Sequence, residues 1–115
     1  MADFKVSSRG QSQVSIIDVK GYLDAHTAPE LENEFNKLIE QQHFKIVVNF
    51  NELNYISSAG LGVFMAYVET MREHNGDIKF SNLKEDVFNI FDLLGFPVLY
   101  EFFDKEEDAI LKFDQ

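Results

Sequence analysis

Cysteine is absent from the 115-residue chain, and histidine is scarce. The absence of cysteine excludes disulfide bonds, thiolate nucleophiles and cysteine-ligated zinc. The three histidines, His26, His43 and His74, are far apart and lack the spacings by which one helix presents two metal ligands. No acid–base pair, and no nucleophile with a nearby base, can be drawn from the sequence. We therefore expect no metal site, no cofactor and no enzyme activity.

Basic residues are outnumbered, because the chain has 10 Lys and Arg against 20 Asp and Glu, a formal net charge of −10. A field of this sign repels nucleic-acid phosphates and anionic lipid surfaces, and it favours a monomer. Long apolar runs are also missing, since none approaches the ~20 residues that a membrane-spanning helix needs. Residues 1–4 lack the basic start and apolar run of a secretion signal. These features predict a soluble cytoplasmic protein that binds neither nucleic acid nor membranes.

Apolar residues are plentiful: 45% of the chain is hydrophobic and 14% is aromatic, including 12 Phe. That content suffices for a packed core and is too high for a disordered chain. Since the length fits one domain, we treat residues 1–115 as a single domain. Its predicted core includes a group of carboxy-terminal phenylalanines, namely Phe91, Phe96, Phe102, Phe103 and Phe113.

Hydrophobic periodicity predicts strands that alternate with helices. Segments rich in β-branched or continuous apolar residues predict strands at residues 4–8, 14–20, 45–50, 77–80 and 98–102. Apolar residues at helical spacing predict four helices, which begin near Thr27, at the Ser57-Ser58 pair, near Asn82 and near Asp104. Three of these starts have the pattern of a capping box, in which a polar side chain and a glutamate three residues later satisfy free amides. The pairs are Thr27 with Glu30, Asn82 with Glu85, and Asp104 with Glu107.

This order of elements predicts the α/β class. Strands that alternate with helices form right-handed βαβ units with parallel strands. The first two strands are joined by a short turn and therefore form an antiparallel hairpin. We expect a mixed sheet of four or five strands, with the hairpin at one edge and about four helices packed against it.

Two glycines, Gly60 and Gly62, stand in the first turn of the second predicted helix, where each costs ~1 kcal/mol relative to alanine. Something must compensate for this cost. Without a Cβ, the helix start can approach a neighbouring strand closely. A bare backbone also lets a partner protein approach an exposed helix start. The sequence is consistent with both reasons for the glycines.

Two serines, Ser57 and Ser58, precede these glycines. Serine is a preferred N-cap, where its oxygen accepts a hydrogen bond from a free amide of the first turn. Only one of the two can be the N-cap, so the other hydroxyl is free to face outward. Because the amides and the macrodipole place positive charge at a helix start, a phosphorylated serine fits this position.

Three segments of the chain, taken in order, resemble one protein family. The segment Ile-Ser-Ser-Ala-Gly-Leu-Gly at residues 56–62 resembles the Asp-Ser-Ser/Thr-Gly-Leu-Gly signature of STAS domains, in particular of the small bacterial anti-sigma factor antagonists. The segment Gly-Tyr-Leu-Asp at residues 21–24 is similar to the family's Gly-x-Leu-Asp sequence before its first helix. Residues 83–109 resemble the family's closing strand and helix. The resemblance thus covers nearly the whole chain and implies a single STAS domain.

The resemblance implies a regulator that binds, unmodified, to an anti-sigma factor with serine kinase activity and so releases a sigma factor. Phosphorylation by that kinase ends the interaction, and a serine phosphatase resets it. The family's modified serine lies two residues before Gly-Leu-Gly, which is Ser58 here. Ser57, where the family often has aspartate, is the alternative, and Ala59 replaces the family's second Ser/Thr. The implied partner-binding residues are Asp24, His26, Thr27, Ile56, Ser57, Ser58, Ala59, Gly60, Leu61 and Gly62.

The alternative function is a non-switching STAS scaffold or a nucleotide-sensing interaction module. A P-loop is excluded because no Gly-Lys-Ser/Thr follows the glycines. Two of the implied partner-binding residues also fit purely structural roles. Asp24 equally fits a turn residue or a cap of the first helix, and His26 fits an ordinary loop residue.

Overall fold

A computed structural model describes residues 3–114 as one sheet with helices on both faces. The strands are β1 (Phe4–Gln11), β2 (Val14–Leu23), β3 (Lys45–Ile56), β4 (Asp77–Ser81) and β5 (Phe102–Phe103). The helices are α1 (Ala28–Glu40), α2 (Ser58–Glu73), α3 (Glu85–Leu93), α4 (Phe96–Leu99) and α5 (Glu106–Lys112).

The strands lie in the sheet in chain order, and only the β1–β2 pair is antiparallel. The predicted α/β class, the mixed sheet and the edge hairpin are therefore confirmed. Strand β3 is central, and its consecutive residues Ile46, Val47 and Val48 are all buried. A strand that is apolar on both sides must be covered on both faces, which is why its continuous apolar run predicted a central position.

The two faces of the sheet form separate apolar clusters. On one face the side chains of β2, β3 and β4 pack against helices α1 to α4, and five phenylalanines there are fully buried: Phe35, Phe50, Phe64, Phe80 and Phe91. On the other face Ile16 and Val47 pack against Ala109 and Ile110 of α5. The short helix α5 thus covers only part of its face.

The last strand is confirmed, but its expected bounds, residues 98–102, are wrong, since only Phe102 of that range lies in a strand. Gly95 adopts a left-handed conformation with φ of 79°, and Pro97 lies in the first turn of the short helix α4, so the described part of the chain has a fifth helix. The α4 turn places Phe96 and Tyr100 four residues apart on one side, where both are buried with ring centroids 5.0 Å apart. Strand β5 therefore has two residues, Phe102 and Phe103, instead of the five that were expected.

The carboxy-terminal phenylalanines are only partly in the core. Phe91 and Phe96 are buried, as expected. Phe102, Phe103 and Phe113 are half-buried and pack at the margins of the two clusters, because β5 lies at the edge of the sheet and α5 is short.

The three expected capping boxes are also wrong, because α1, α3 and α5 have no side-chain cap bond in the described structure. Helices α3 and α5 begin after Lys84 and Lys105, beyond the predicted caps Asn82 and Asp104. Thr27 is the N-cap residue of α1, but its hydroxyl makes no bond to a free amide of the helix. The hydroxyl donates instead to the carbonyl of Tyr22 at 2.8 Å. Carboxylates in the first turns of these helices complement the macrodipole instead.

A polar network joins α5 to the sheet. The Arg9 guanidinium donates to both Asp18 and Glu106, and the Asn49 amide donates to Glu106 at 2.9 Å. Burial alone would raise the pKa of Glu106, but the hydrogen bonds from Arg9 and Asn49 outweigh it and hold that pKa below its usual value. The network thus holds the first turn of α5 against the sheet.

Candidate functional site

The two serines at the start of α2 have different roles. Ser57 has an extended backbone and is the N-cap, and its hydroxyl oxygen accepts from the amide of Gly60 at 3.5 Å. The amide of Ser57 donates to the carbonyl of Leu23 at 2.9 Å, which ties this helix start to the end of β2. Ser58, the first helical residue, is exposed to solvent. Ser57 therefore caps the helix and Ser58 is left exposed, which agrees with the prediction that only one of the two serines is the N-cap.

The first turn of α2 carries no acidic residue. By contrast, the first turns of α1, α3 and α5 carry one, two and three carboxylates respectively. A helix start without a carboxylate keeps the positive end of its macrodipole uncompensated, and added negative charge there stabilises the helix. The exposed Ser58 hydroxyl thus stands where an added phosphate is electrostatically favoured within the chain itself.

Gly60 lies in the first turn of α2 and Gly62 begins the second, and the two glycines have different surroundings. A Cβ built on Gly60 would lie 2.7 Å from Cγ of Leu23 and 3.0 Å from Cγ1 of Ile56, both buried side chains. Gly60 is therefore required by close packing of α2 on the ends of β2 and β3. Gly62 is exposed, and a Cβ there would meet nothing within 4 Å. Packing within the chain thus gives no reason for Gly62.

Alanine substitutions at the two glycines should have opposite effects on stability. We expect Gly60→Ala to lower the free energy of unfolding by about 1–2 kcal/mol, because crowding against Leu23 exceeds the gain in helix propensity. Gly62→Ala should raise it by about 0.5–1 kcal/mol, since the new methyl group has free space. Urea denaturation of the two variants beside the parent chain measures both. Equal responses would contradict the different packing of the two glycines.

The loop between β2 and α1 lies beside this helix start. The Asp24 carboxylate accepts from the amides of His26 at 2.9 Å and Thr27 at 3.2 Å, and the Thr27 hydroxyl accepts from the amide of Asp24 at 2.9 Å. Asp24 is therefore a turn residue, which is the first of the two structural roles considered for it. The Leu23–Ser57 hydrogen bond brings this loop to the same edge of the sheet as Ser58.

The predicted partner-binding residues separate into accessible and buried groups. His26, Ser58, Ala59 and Gly62 are exposed, and Asp24, Thr27 and Ser57 are half-buried. Ile56, Gly60 and Leu61 are buried and hold the helix start in place. The accessible residues form a small, mostly uncharged surface at the carboxyl ends of β2 and β3.

Sequence reasoning missed three exposed side chains near this surface. Tyr22 and Tyr55 precede the two loops and are 42% and 44% exposed, and Met65, one of the apolar residues at helical spacing in α2, is 60% exposed. Tyr22 alternates with the buried Gly21 and Leu23 along β2. That alternation is the signal from which its outward direction could have been predicted.

Among residues 3–114 no three His, Asp or Glu side chains lie close enough together to hold a metal ion. No helix formed by these residues is both long and apolar enough to cross a bilayer.

A cavity of about 440 Å³ is lined by Ser15, His43, Lys45 and His74, at the amino ends of the parallel strands. That is the edge of the sheet opposite to Ser58.

Comparison with known proteins identifies relatives of the chain. The model of the STAS domain family matches residues 5–109. The anti-sigma-B factor antagonist of Bacillus subtilis is 27% identical over 94 residues, which cover 82% of this chain and 85% of that protein.

Two solved structures have the same fold. An anti-sigma factor antagonist from Mycobacterium paratuberculosis superimposes with a TM-score of 0.89 at 18% identity, over 98% of this chain and 96% of that one. The Bacillus cell fate determinant SpoIIAA in its phosphorylated form superimposes with a TM-score of 0.72 at 21% identity, over 96% of this chain and 98% of that one.

Proposed function

Since this chain belongs to the STAS domain family, we propose that it acts as an anti-sigma factor antagonist that is switched off by phosphorylation of Ser58. In this proposal the unmodified chain binds an anti-sigma factor that is also a serine kinase, and a sigma factor is released. The antagonist role is the role named for its Bacillus subtilis relative. A serine phosphatase resets the switch, and the exchange takes place in the cytoplasm, where sigma factors act.

The exposed hydroxyl of Ser58 is the observation that carries the proposal. It extends from a helix start without carboxylates, next to a serine that is already used as the cap. A phosphorylated form of the structural relative SpoIIAA is known. Gly62, one turn along the same exposed side of α2, leaves its backbone open to a partner. In this proposal the chain is the ligand of the anti-sigma factor and the substrate of its kinase activity, and the kinase supplies the catalytic groups.

The switch needs no change of fold. A phosphate adds about −1.5 to −2 charges at one point, and inside a fitted interface it meets steric and desolvation penalties. A loss of about 3 kcal/mol already weakens binding more than a hundredfold. Within the chain the same charge meets the uncompensated positive end of α2, so the modification destabilises the complex and leaves the free domain intact.

Binding to an anti-sigma factor tests the proposed function. The purified chain would be titrated against each anti-sigma factor of its own organism, alone and loaded with its sigma factor, by calorimetry and size-exclusion chromatography. We expect a 1:1 complex with one of them and displacement of its sigma factor. Failure to bind any of them, or saturable micromolar binding of GTP or ATP by the isolated chain instead, would contradict the antagonist role.

A further inference from the structure

Two tyrosine side chains form an exposed pair next to the candidate site. Tyr22 and Tyr55 lie opposite each other in the parallel register of β2 and β3, with ring centroids 5.9 Å apart. The alternation of β2 directs Tyr22 to the α5 side of the sheet, since its neighbour Leu23 belongs to the other cluster. Helix α5 packs on Ile16 and Val47, near the opposite ends of these strands, and does not cover the pair.

The tyrosine pair lies within reach of a protein bound at Ser58. Ser58 lies three positions after Tyr55, so their Cα atoms are at most about 11 Å apart. A standard interface covers about 800 Å² of each partner, which is a disc about 16 Å in radius. The carbonyl of Tyr22 also accepts from the hydroxyl of Thr27, which links the pair directly to the β2–α1 loop. An interface centred on Ser58 therefore has the area to reach the tyrosines around the carboxyl end of the sheet.

The surroundings of the pair favour an uncharged partner surface. The adjacent Lys20 ammonium and Glu52 carboxylate lie 3.7 Å apart and offset each other's charge, and the two rings themselves carry no charge. Tyrosine rings offer large apolar area at a small cost in conformational entropy and are enriched among the residues that dominate binding energy. Exposed to the extent of 42% and 44%, both rings have area left to bury.

Resting on the proposed function, we infer that the Tyr22–Tyr55 pair is a second contact region for the same anti-sigma factor kinase, which covers it with uncharged apolar side chains. The pair holds the kinase on the chain, whereas Ser58 carries the switch. Because the rings take no part in phosphoryl transfer, they contribute to the affinity of the kinase for its substrate and not to the chemical step.

The matched variants are Tyr22→Thr/Tyr55→Thr, which keeps residues of high strand propensity, and the control Val98→Ala. Val98 is 87% exposed. Its neighbour Leu99 accepts through its carbonyl from Arg72 in the last turn of α2, about 20 Å from Ser58 along that helix. Circular dichroism and thermal melting establish that each variant is folded, and the single variants Tyr22→Thr and Tyr55→Thr replace the double variant if it is not.

Steady-state phosphorylation of the chain by the kinase, together with calorimetric binding, tests the inference. The double variant should raise KM and Kd about tenfold to a hundredfold, with kcat unchanged within about twofold, and Val98→Ala should change none of them. Unchanged KM and Kd in the double variant, a fall in kcat alone, or an equal effect of Val98→Ala would overturn the inference. The proposed function would survive those results, since it fails only if the parent chain itself is not bound or not modified at Ser58.

Discussion

Ser58→Glu is expected to weaken binding to the anti-sigma factor about a hundredfold or more, while the free energy of unfolding stays unchanged or rises by about 0.3–1 kcal/mol. The effects on binding and on the free energy of unfolding differ because the environment of the glutamate carboxylate differs between the complex and the free chain. In the complex it loses its hydration in a surface fitted to a hydroxyl. In the free chain it lies in solvent at the first turn of α2, which has no other acidic residue.

Calorimetric titration and urea denaturation of the same protein samples measure the two quantities. Ser58→Ala is the matched control, because it removes the hydroxyl without adding charge and should bind within severalfold of the parent chain. Ser57→Ala removes the cap and should cost up to about 1 kcal/mol of stability without abolishing binding. If Ser58→Glu binds as tightly as Ser58→Ala, charge at this position is not the switch.

Phe80→Ala should lower the free energy of unfolding by about 3–5 kcal/mol, a large part of the 5–15 kcal/mol typical of a domain. Phe80 is fully buried on β4. Its ring centroid lies 5.1–5.3 Å from those of five other aromatic residues, Phe50, Phe64, Phe91, Tyr100 and Phe102. Removing it opens a cavity between α2, α3, α4 and the sheet that these rings cannot all move to fill.

Urea denaturation of Phe80→Ala beside Phe88→Ala measures this cost. Phe88 is half-buried and has one close ring neighbour, Phe102, at 5.3 Å, so its truncation should cost about 1 kcal/mol. Similar losses for the two variants would show that the cluster around Phe80 is not the centre of the core.

The sequence predicted those elements whose apolar pattern has one structural solution. The run at Ile46, Val47 and Val48 is rich in β-branched residues and predicted a strand covered on both faces, and it lies at the centre of the sheet. Residues 98–102 have an equally apolar pattern, but Gly95 and Pro97 start a short helix that buries Phe96 and Tyr100 and leaves Val98 exposed. Apolar character alone did not distinguish these outcomes, because the difference depends on which side chains reach the core.

The candidate site was predictable as far as local chemistry determines it. The rule that a helix has one N-cap predicted that one of the serines faces outward, and Ser58 does so. The sequence could not separate Gly60 from Gly62, because the difference arises from Leu23, which is distant in the sequence. The Tyr22–Tyr55 pair was missed for the same reason, since only the register of β2 and β3 brings the two rings together.

Mapping the phosphate after incubation with the anti-sigma factor kinase and ATP tests the central claim most directly. Trypsin releases both serines in one peptide, residues 46–72, and fragmentation between Ser57 and Ser58 assigns the modified residue. We predict one phosphate on Ser58, its persistence in Ser57→Ala, and its complete loss in Ser58→Ala together with retention of the complex in the presence of ATP. A phosphate on Ser57 or elsewhere, or no phosphate on a chain that the kinase binds, would contradict the account.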